Sequence, residues 1–186
     1  MRVIEKLSIK MQSKFEHKMV ELKAKVDDLD VVRRKLTSLG AQRIGTFRQT
    51  DIYFEVPEGR LKLREVEGNN QTELIYYKRQ NIVSPKISDD LILKIQKPED
   101  FKNLLKKLLK INIIVEKVRE IYRYQGTQIH LDKVEKLGTF VEFERKTPAD
   151  AQTIKRNQQI LEKLMEKLGI NPENLEKLSY SDLIQM

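Results

Sequence analysis

Segment after segment of this chain alternates an ionic residue with an apolar one. In Leu61-Lys62-Leu63-Arg64 the two cations share one side of an extended strand and the two leucines the other, because successive strand side chains point to opposite faces. Val20-Glu21-Leu22-Lys23-Ala24-Lys25-Val26 repeats the pattern, as do Lys117-Val118-Arg119 and Val141-Glu142-Phe143-Glu144. His130 and Asp132 alternate with Ile129 and Leu131, and Tyr76 and Lys78 read as a further pair on the charged face. A sheet with one wet face mixes Ser, Thr and Gln among its charges. These faces are almost purely ionic, which asks for something to bind.

The order of elements says how such strands can meet. A strand from Met19 is followed by a helix capped at Asp27 or Asp28 and stopped at Gly40. Residues 47–56, 60–66 and 73–79 read as a meander, with turns at Pro57-Glu58-Gly59 and Glu67-Gly68-Asn69-Asn70. Asn81 to Asp90 reads as a loop centred on Ser84-Pro85. Pro98 opens an amphipathic helix to Leu109, with Leu104, Leu105 and Leu108 on its apolar stripe. Strands near 112–124, 127–134 and 139–146 follow, then a helix from Pro148 to Leu168 and a short one over 173–178. The chain falls into two similar halves of about 85 residues, dominated by hairpins, so an α+β fold with a largely antiparallel sheet is expected.

With helices on the apolar side, such a sheet can curl and close, since roughly six to eight strands suffice for a barrel. Closure with the ionic face inward gathers Lys23, Lys25, Lys62, Arg64, Lys78, Lys117 and Arg119 around Glu21, Glu142 and Glu144. Buried charge needs a partner. The expected guest is a compact polyanion, bridged to the glutamates by a hard cation such as Mg²⁺ or Mn²⁺.

Composition removes several rivals. There is no Cys, so disulfide frameworks, thiolate metal sites and Cys nucleophiles are excluded, and two histidines rule out a His-based cluster. The net charge of +8 favours an anionic partner. No P-loop or G-x-G-x-x-G is present. The lysines from Lys102 to Lys110 lie on the solvated side of a helix without stacking aromatics, so nucleic acid is not the expected partner. No apolar run reaches membrane-span length, and a cytoplasmic location is expected. Residues 1–18 read as a basic N-terminal extension before a domain over 19–186.

The ordered set Glu21-Leu22-Lys23-Ala24-Lys25, Leu61-Lys62-Leu63-Arg64-Glu65, Lys117-Val118-Arg119-Glu120, His130-Leu131-Asp132-Lys133-Val134-Glu135 and Phe140-Val141-Glu142-Phe143-Glu144 resembles the CYTH family, the triphosphate tunnel metalloenzymes. The resemblance extends from Met19 to Leu183. It implies a closed eight-stranded antiparallel barrel with a polar interior and helices outside. It also implies a metal-dependent enzyme acting on ATP, thiamine triphosphate or inorganic triphosphate, either as a class IV adenylyl cyclase-like nucleotidyl cyclase or as a triphosphatase. On this reading Lys23, Lys62, Arg64, Lys78, Lys117 and Arg119 grip the triphosphate, Glu21, Glu142 and Glu144 hold the metal, and Glu21 and Lys25 are the catalytic candidates. The protein is expected to be a monomer or homodimer, and a non-catalytic polyanion-binding module is the alternative. One position departs from the family's opening Glu-x-Glu-x-Lys: its first glutamate is replaced by Met19, a poor ligand for a hard cation.

Overall fold

The computed structural model describes residues 17–186. The basic N-terminal extension expected over 1–18 lies, as far as residue 16, outside the described residues; Lys18 belongs to the first strand, where it pairs with Asp89. Among the described residues, eight strands close a barrel in the order β1-β5-β4-β3-β2-β6-β7-β8, every neighbouring pair antiparallel. In chain order they are β1 (His17–Lys25), β2 (Gln42–Phe54), β3 (Arg60–Val66), β4 (Asn69–Arg79), β5 (Lys86–Ile95), β6 (Ile111–Tyr124), β7 (Thr127–Val134) and β8 (Gly138–Thr147). Closure removes every exposed sheet edge.

Residues 81–85 form the expected loop around Ser84-Pro85, but β5 begins at Lys86 and corrects the loop reading of 86–90. Its first half, Lys86-Ile87-Ser88-Asp89-Asp90, carries residues depleted in strands, so local propensity argued against it. Two flanks hold it in place: Val20 faces Ile87 on β1, and Tyr77 faces Asp90 on β4. With β5 counted, the halves correspond element by element. Each is strand, helix, three strands, with α1 (Leu29–Ser38) in the first and α2 (Pro98–Leu108) in the second.

The helices cover the outer, apolar face. α1 is capped by the Asp28 carboxylate, which accepts from the Asp30 amide at 2.7 Å, and it ends before Gly40 at φ +75°. α3 (Ala151–Lys167) starts later than Pro148, at the Asp150 cap, whose side chain accepts from the Thr153 amide at 2.8 Å. α1 and α3 lie over β1 and β6–β8, burying Val32, Leu36, Leu161, Leu164 and Met165 against Val20, Leu22, Ile129, Leu131, Val141 and Phe143. Leu161 is fully buried, and truncating it to Ala is expected to cost about 2–5 kcal/mol. α2 does the same on a smaller scale, placing Leu105 and Phe101 over Ile52, Phe54 and Leu63.

The short helix expected over 173–178 is absent. A 3-10 turn (Pro172–Asn174) leads into an extended stretch whose Glu176 amide donates to the Lys23 carbonyl at 2.8 Å. α4 (Tyr180–Ile184) then starts on a reciprocal cap between Ser179 and Asp182. This segment crosses one end of the barrel and packs Tyr180 inside it with Tyr53, Ile75, Tyr77, Val115 and Phe140.

Candidate active site

The bore is where the alternating faces converge. A central cavity of about 120 Å³ is lined by Lys23, Lys62, Arg64, Lys117 and Arg119 together with Glu21, Glu142 and Glu144. It opens at one end into a mouth of about 780 Å³ bordered by Phe47, Ile121, Tyr124, Gln128 and His130. Toward the other end lies a more ionic recess of about 750 Å³ bordered by Arg60, Glu58 and Arg79.

Two expected residues lie elsewhere. Lys78 is exposed and pairs with Glu58 at the rim of the ionic recess, not in the central cavity. On β4 it is Ile75, Tyr77 and Arg79 that point inward, so Arg79 takes the place expected for Lys78. Both parities of Tyr76-Tyr77-Lys78-Arg79 put one aromatic and one cation on each side, so alternation alone could not choose between them. Lys25 shares the parity of Lys23 but lies one step past the crossing of the C-terminal segment, where Ala24 bridges Leu175, and it is exposed. It is not in the cavity lining, and a catalytic role for it finds no support in this placement.

Two further carboxylates hold cations: Asp51, which alternation did not single out, and Asp132, which it places on one face with His130. Asp51, 1% exposed, accepts from Arg64 Nε at 2.7 Å and Arg64 Nη2 at 2.9 Å, from Lys117 Nζ at 2.7 Å and from Lys62 Nζ at 3.1 Å. Burial by itself would push the Asp51 carboxyl up, but Arg64, Lys117 and Lys62 hold it well below the usual carboxylate range. Asp132, fully buried, accepts from Arg119 Nε at 2.7 Å and from the Tyr180 hydroxyl at 2.7 Å. Arg119 Nη2 also reaches Glu142 at 2.6 Å. Burial opposes ionisation of Glu142, yet the Arg119 charge beside it keeps it well below its ordinary value. Arg79 pairs with Glu21 at 2.5 Å, and Lys23 lies 3.8 Å from Glu142 and 4.1 Å from the centre of the Tyr180 ring.

The bore is therefore nearly balanced in charge, because Asp51 and Asp90 line the cavity with the three glutamates and Asp132 pairs with Arg119 behind it. The expected excess of cations over the three glutamates is thereby corrected. Burial pushes Lys117 down to about 7, against the pull of Asp51. Lys86 is a second cation missed by the sequence reading. It is 1% exposed and donates to the carbonyls of Glu176 and Lys177 at 3.2 Å, anchoring the segment that delivers Tyr180; burial pushes it down to about 8.

The carboxylates also bear on a metal. Among the described residues, one group of three His, Asp or Glu side chains brings ligand atoms within 4.8 Å of one another: His130, Glu142 and Glu144. Glu21 lines the same cavity but is outside this group, engaged with Arg79. The His130 Nδ1 atom is buried and makes no hydrogen bond. Two anionic oxygens beside a free buried nitrogen suit a divalent cation, so the residues fit one.

A closed antiparallel barrel with an ion-lined bore, helices outside and acidic side chains in one wall is the architecture of a triphosphate tunnel protein. The sequence matches the CYTH domain over residues 17–180, and the chain belongs to that family. It is 32% identical to a "Putative adenylate cyclase" of Methanocaldococcus jannaschii, over 88% of this chain and 97% of that protein. A Pyrococcus horikoshii protein superposes with a TM-score of 0.80 at 27% identity, covering 89% of this chain and 98% of that one. A Hippeastrum protein described as having a dominant triphosphatase activity has a TM-score of 0.64 at 17% identity, covering 91% of this chain and 95% of that one, and speaks to the fold alone.

Proposed function

We propose that this protein is a metal-dependent enzyme that binds a triphosphate in its bore and transfers a phosphoryl or nucleotidyl group. The observation that carries the reading is the convergence of Lys23, Lys62, Arg64, Arg79, Lys117 and Arg119 on one cavity whose wall also holds Glu142 and Glu144. Phosphoryl transfer needs charge neutralisation and alignment more than covalent help. In this reading the six cations grip phosphate oxygens, with the guanidinium groups of Arg64 and Arg119 offering paired donors. Glu142 and Glu144 hold Mg²⁺ or Mn²⁺, which supplies Lewis acidity and further charge neutralisation. Asp51 and Asp132 keep the cations oriented until phosphate replaces part of their contacts. Glu21 faces the bore and is the candidate proton acceptor.

Two outcomes of the same grip differ in which bond is aligned. In a cyclase the ribose 3′-hydroxyl oxygen bonds to the α-phosphorus, the bond to the bridging oxygen breaks, and pyrophosphate leaves. In a triphosphatase a water oxygen bonds to the terminal phosphorus, the bond from that phosphorus to the bridging oxygen breaks, and orthophosphate and the diphosphate leave. The likeness to a relative named an adenylate cyclase favours the first. The roomy mouth beside Phe47, Ile121 and Tyr124 gives an organic group a place in either.

The test is a panel of ATP, thiamine triphosphate and tripolyphosphate with Mg²⁺ or Mn²⁺, read as cyclic nucleotide plus pyrophosphate or as orthophosphate. Turnover that Glu142→Ala abolishes supports the enzyme. Tight binding without turnover of any member would instead establish a polyanion-binding module. That second reading is favoured by Met19, which removes a carboxylate from the bore.

A further inference from the structure

The loss of a carboxylate at Met19 and the orphan nitrogen of His130 belong together. Met19 lines the cavity with Glu21, Glu142 and Glu144, and it also borders the mouth in which His130 sits. A thioether gives a hard cation nothing, so the family's first glutamate position contributes no ligand here. On β7, next to β8 in the same wall and directly opposite Glu142 in the strand register, His130 is 2% exposed. Its Nδ1 points at the two glutamates, 3.7 Å from Glu142 Oε2 and 3.5 Å from Glu144 Oε1, and it makes no hydrogen bond. A buried imidazole nitrogen whose nearest polar contacts are too long for a hydrogen bond is costly unless something binds it. The other ring nitrogen is occupied: His130 Nε2 lies 2.7 Å from Gln128 Nε2. Two nitrogens at that distance need one donor and one acceptor, and a flip of the Gln128 amide lets its oxygen accept from Nε2–H and leaves the Nδ1 lone pair free. A hydrogen bond to the outer nitrogen is the usual support of a metal-bound histidine.

We propose that His130 Nδ1 is a direct metal ligand alongside Glu142 and Glu144, and that this mixed nitrogen–oxygen site selects Mn²⁺ over Mg²⁺. Mg²⁺ favours all-oxygen shells, whereas an imidazole adds affinity for first-row transition ions. Arg119, which shares Glu142 Oε2, favours a ligand set centred on His130 and Glu144, with Glu142 completing it. The inference rests on the metal-dependent reading of the bore and adds to it the identity of one ligand and the preferred ion.

The experiment is pulsed electron paramagnetic resonance on the intact protein loaded with Mn²⁺, prepared with natural-abundance and with ¹⁵N-labelled histidine. Titrations of Mn²⁺ and Mg²⁺ in the absence of substrate accompany it. A nitrogen coupling that changes with the label is expected, and it disappears in His130→Gln. His17, the other histidine, is tested with His17→Gln, which should keep the signal. Mn²⁺ should bind at least about tenfold more tightly than Mg²⁺, and His130→Gln should remove most of that preference. The labelled wild-type protein gives an answer even if the variant does not fold. Mn²⁺ bound without a histidine coupling, or a coupling that survives in His130→Gln, would overturn the proposal. If triphosphate turnover persists in that case, only the ligand assignment has failed. If neither metal binding nor turnover is found, the enzyme reading has failed with it.

Discussion

Lys117 Nζ lies 2.7 Å from Asp51 Oδ2 in an ion pair that is almost fully sealed from solvent, and Asp51 carries Arg64 and Lys62 as well. One carboxylate thus holds three cations in the wall of the bore. Removing it in Asp51→Ala leaves those cations buried together, which is expected to cost about 3–5 kcal/mol of stability in chemical denaturation. Tripolyphosphate should restore part of that loss, so the variant is expected to show a larger ligand-induced rise in Tm than the wild-type protein. Equal shifts in the two proteins would mean that Asp51 does not stand in for the ligand.

Lys117 is expected to make anion binding depend on pH. Burial lowers it to about 7, so it is mostly neutral at pH 8 and mostly charged at pH 6. One added charge at close range in a protein is worth about 4 kcal/mol at an effective dielectric of about 20. Tripolyphosphate affinity should therefore rise on going from pH 8 to pH 6, and Lys117→Met should flatten the profile in calorimetric titrations at both pH values. Stability runs the other way. Between about 7 and the ordinary lysine value the unfolded chain holds a proton that the native lysine has lost, so this group's contribution to stability rises with pH across that window.

Arg79 and Lys78 are neighbours in sequence on opposite walls of β4. Arg79 pairs with Glu21 inside, and Lys78 with Glu58 at the rim of the ionic recess. Arg79→Ala is expected to weaken triphosphate binding by about tenfold or more, through loss of a charge-assisted contact. Lys78→Ala and Lys25→Ala should each change it less than about twofold, as expected of exposed charges screened by salt. Competition binding with a fluorescent triphosphate distinguishes them, and a loss in Lys78→Ala equal to that in Arg79→Ala would refute the inward assignment.

Tyr180 closes the bore by donating to Asp132 and packing its ring edge-on against Phe140, with the ring centroids 5.1 Å apart. Tyr180→Phe keeps the ring and leaves Asp132 one donor short, which is expected to cost about 1.5–3 kcal/mol in denaturant unfolding. Arg119 should then be less firmly held, and turnover of the best substrate in the panel should fall as well. A fully stable Tyr180→Phe would show that the hydroxyl contributes nothing to holding Asp132.

Much of this barrel was legible as alternation. Lys23, Lys62, Arg64, Lys117, Arg119, Glu21, Glu142 and Glu144 all line the bore, because their apolar neighbours Leu22, Leu63, Phe143 and the like have to lie under helices on the other side. Where both faces of a strand are mixed, that constraint vanishes, and β4 was read in the wrong parity. β5 was missed for a related reason: Ser88 and Asp90 are poor strand formers, and two flanking strands supply the hydrogen bonds that hold them extended.

The order of amino acids determined the faces, since period-two patterning with buried apolar partners leaves a strand one orientation. It could not give depth along the barrel or name partners across it. Lys23 and Lys25 have the same parity, yet only the path of a segment some 150 residues later puts one inside and the other in water. Likewise Asp51 reaches Lys117 only through the long-range pairing of β2 with β6, and Asp132 receives the Tyr180 hydroxyl only when the C-terminal segment enters the bore, because charge pairing depends on distances in space.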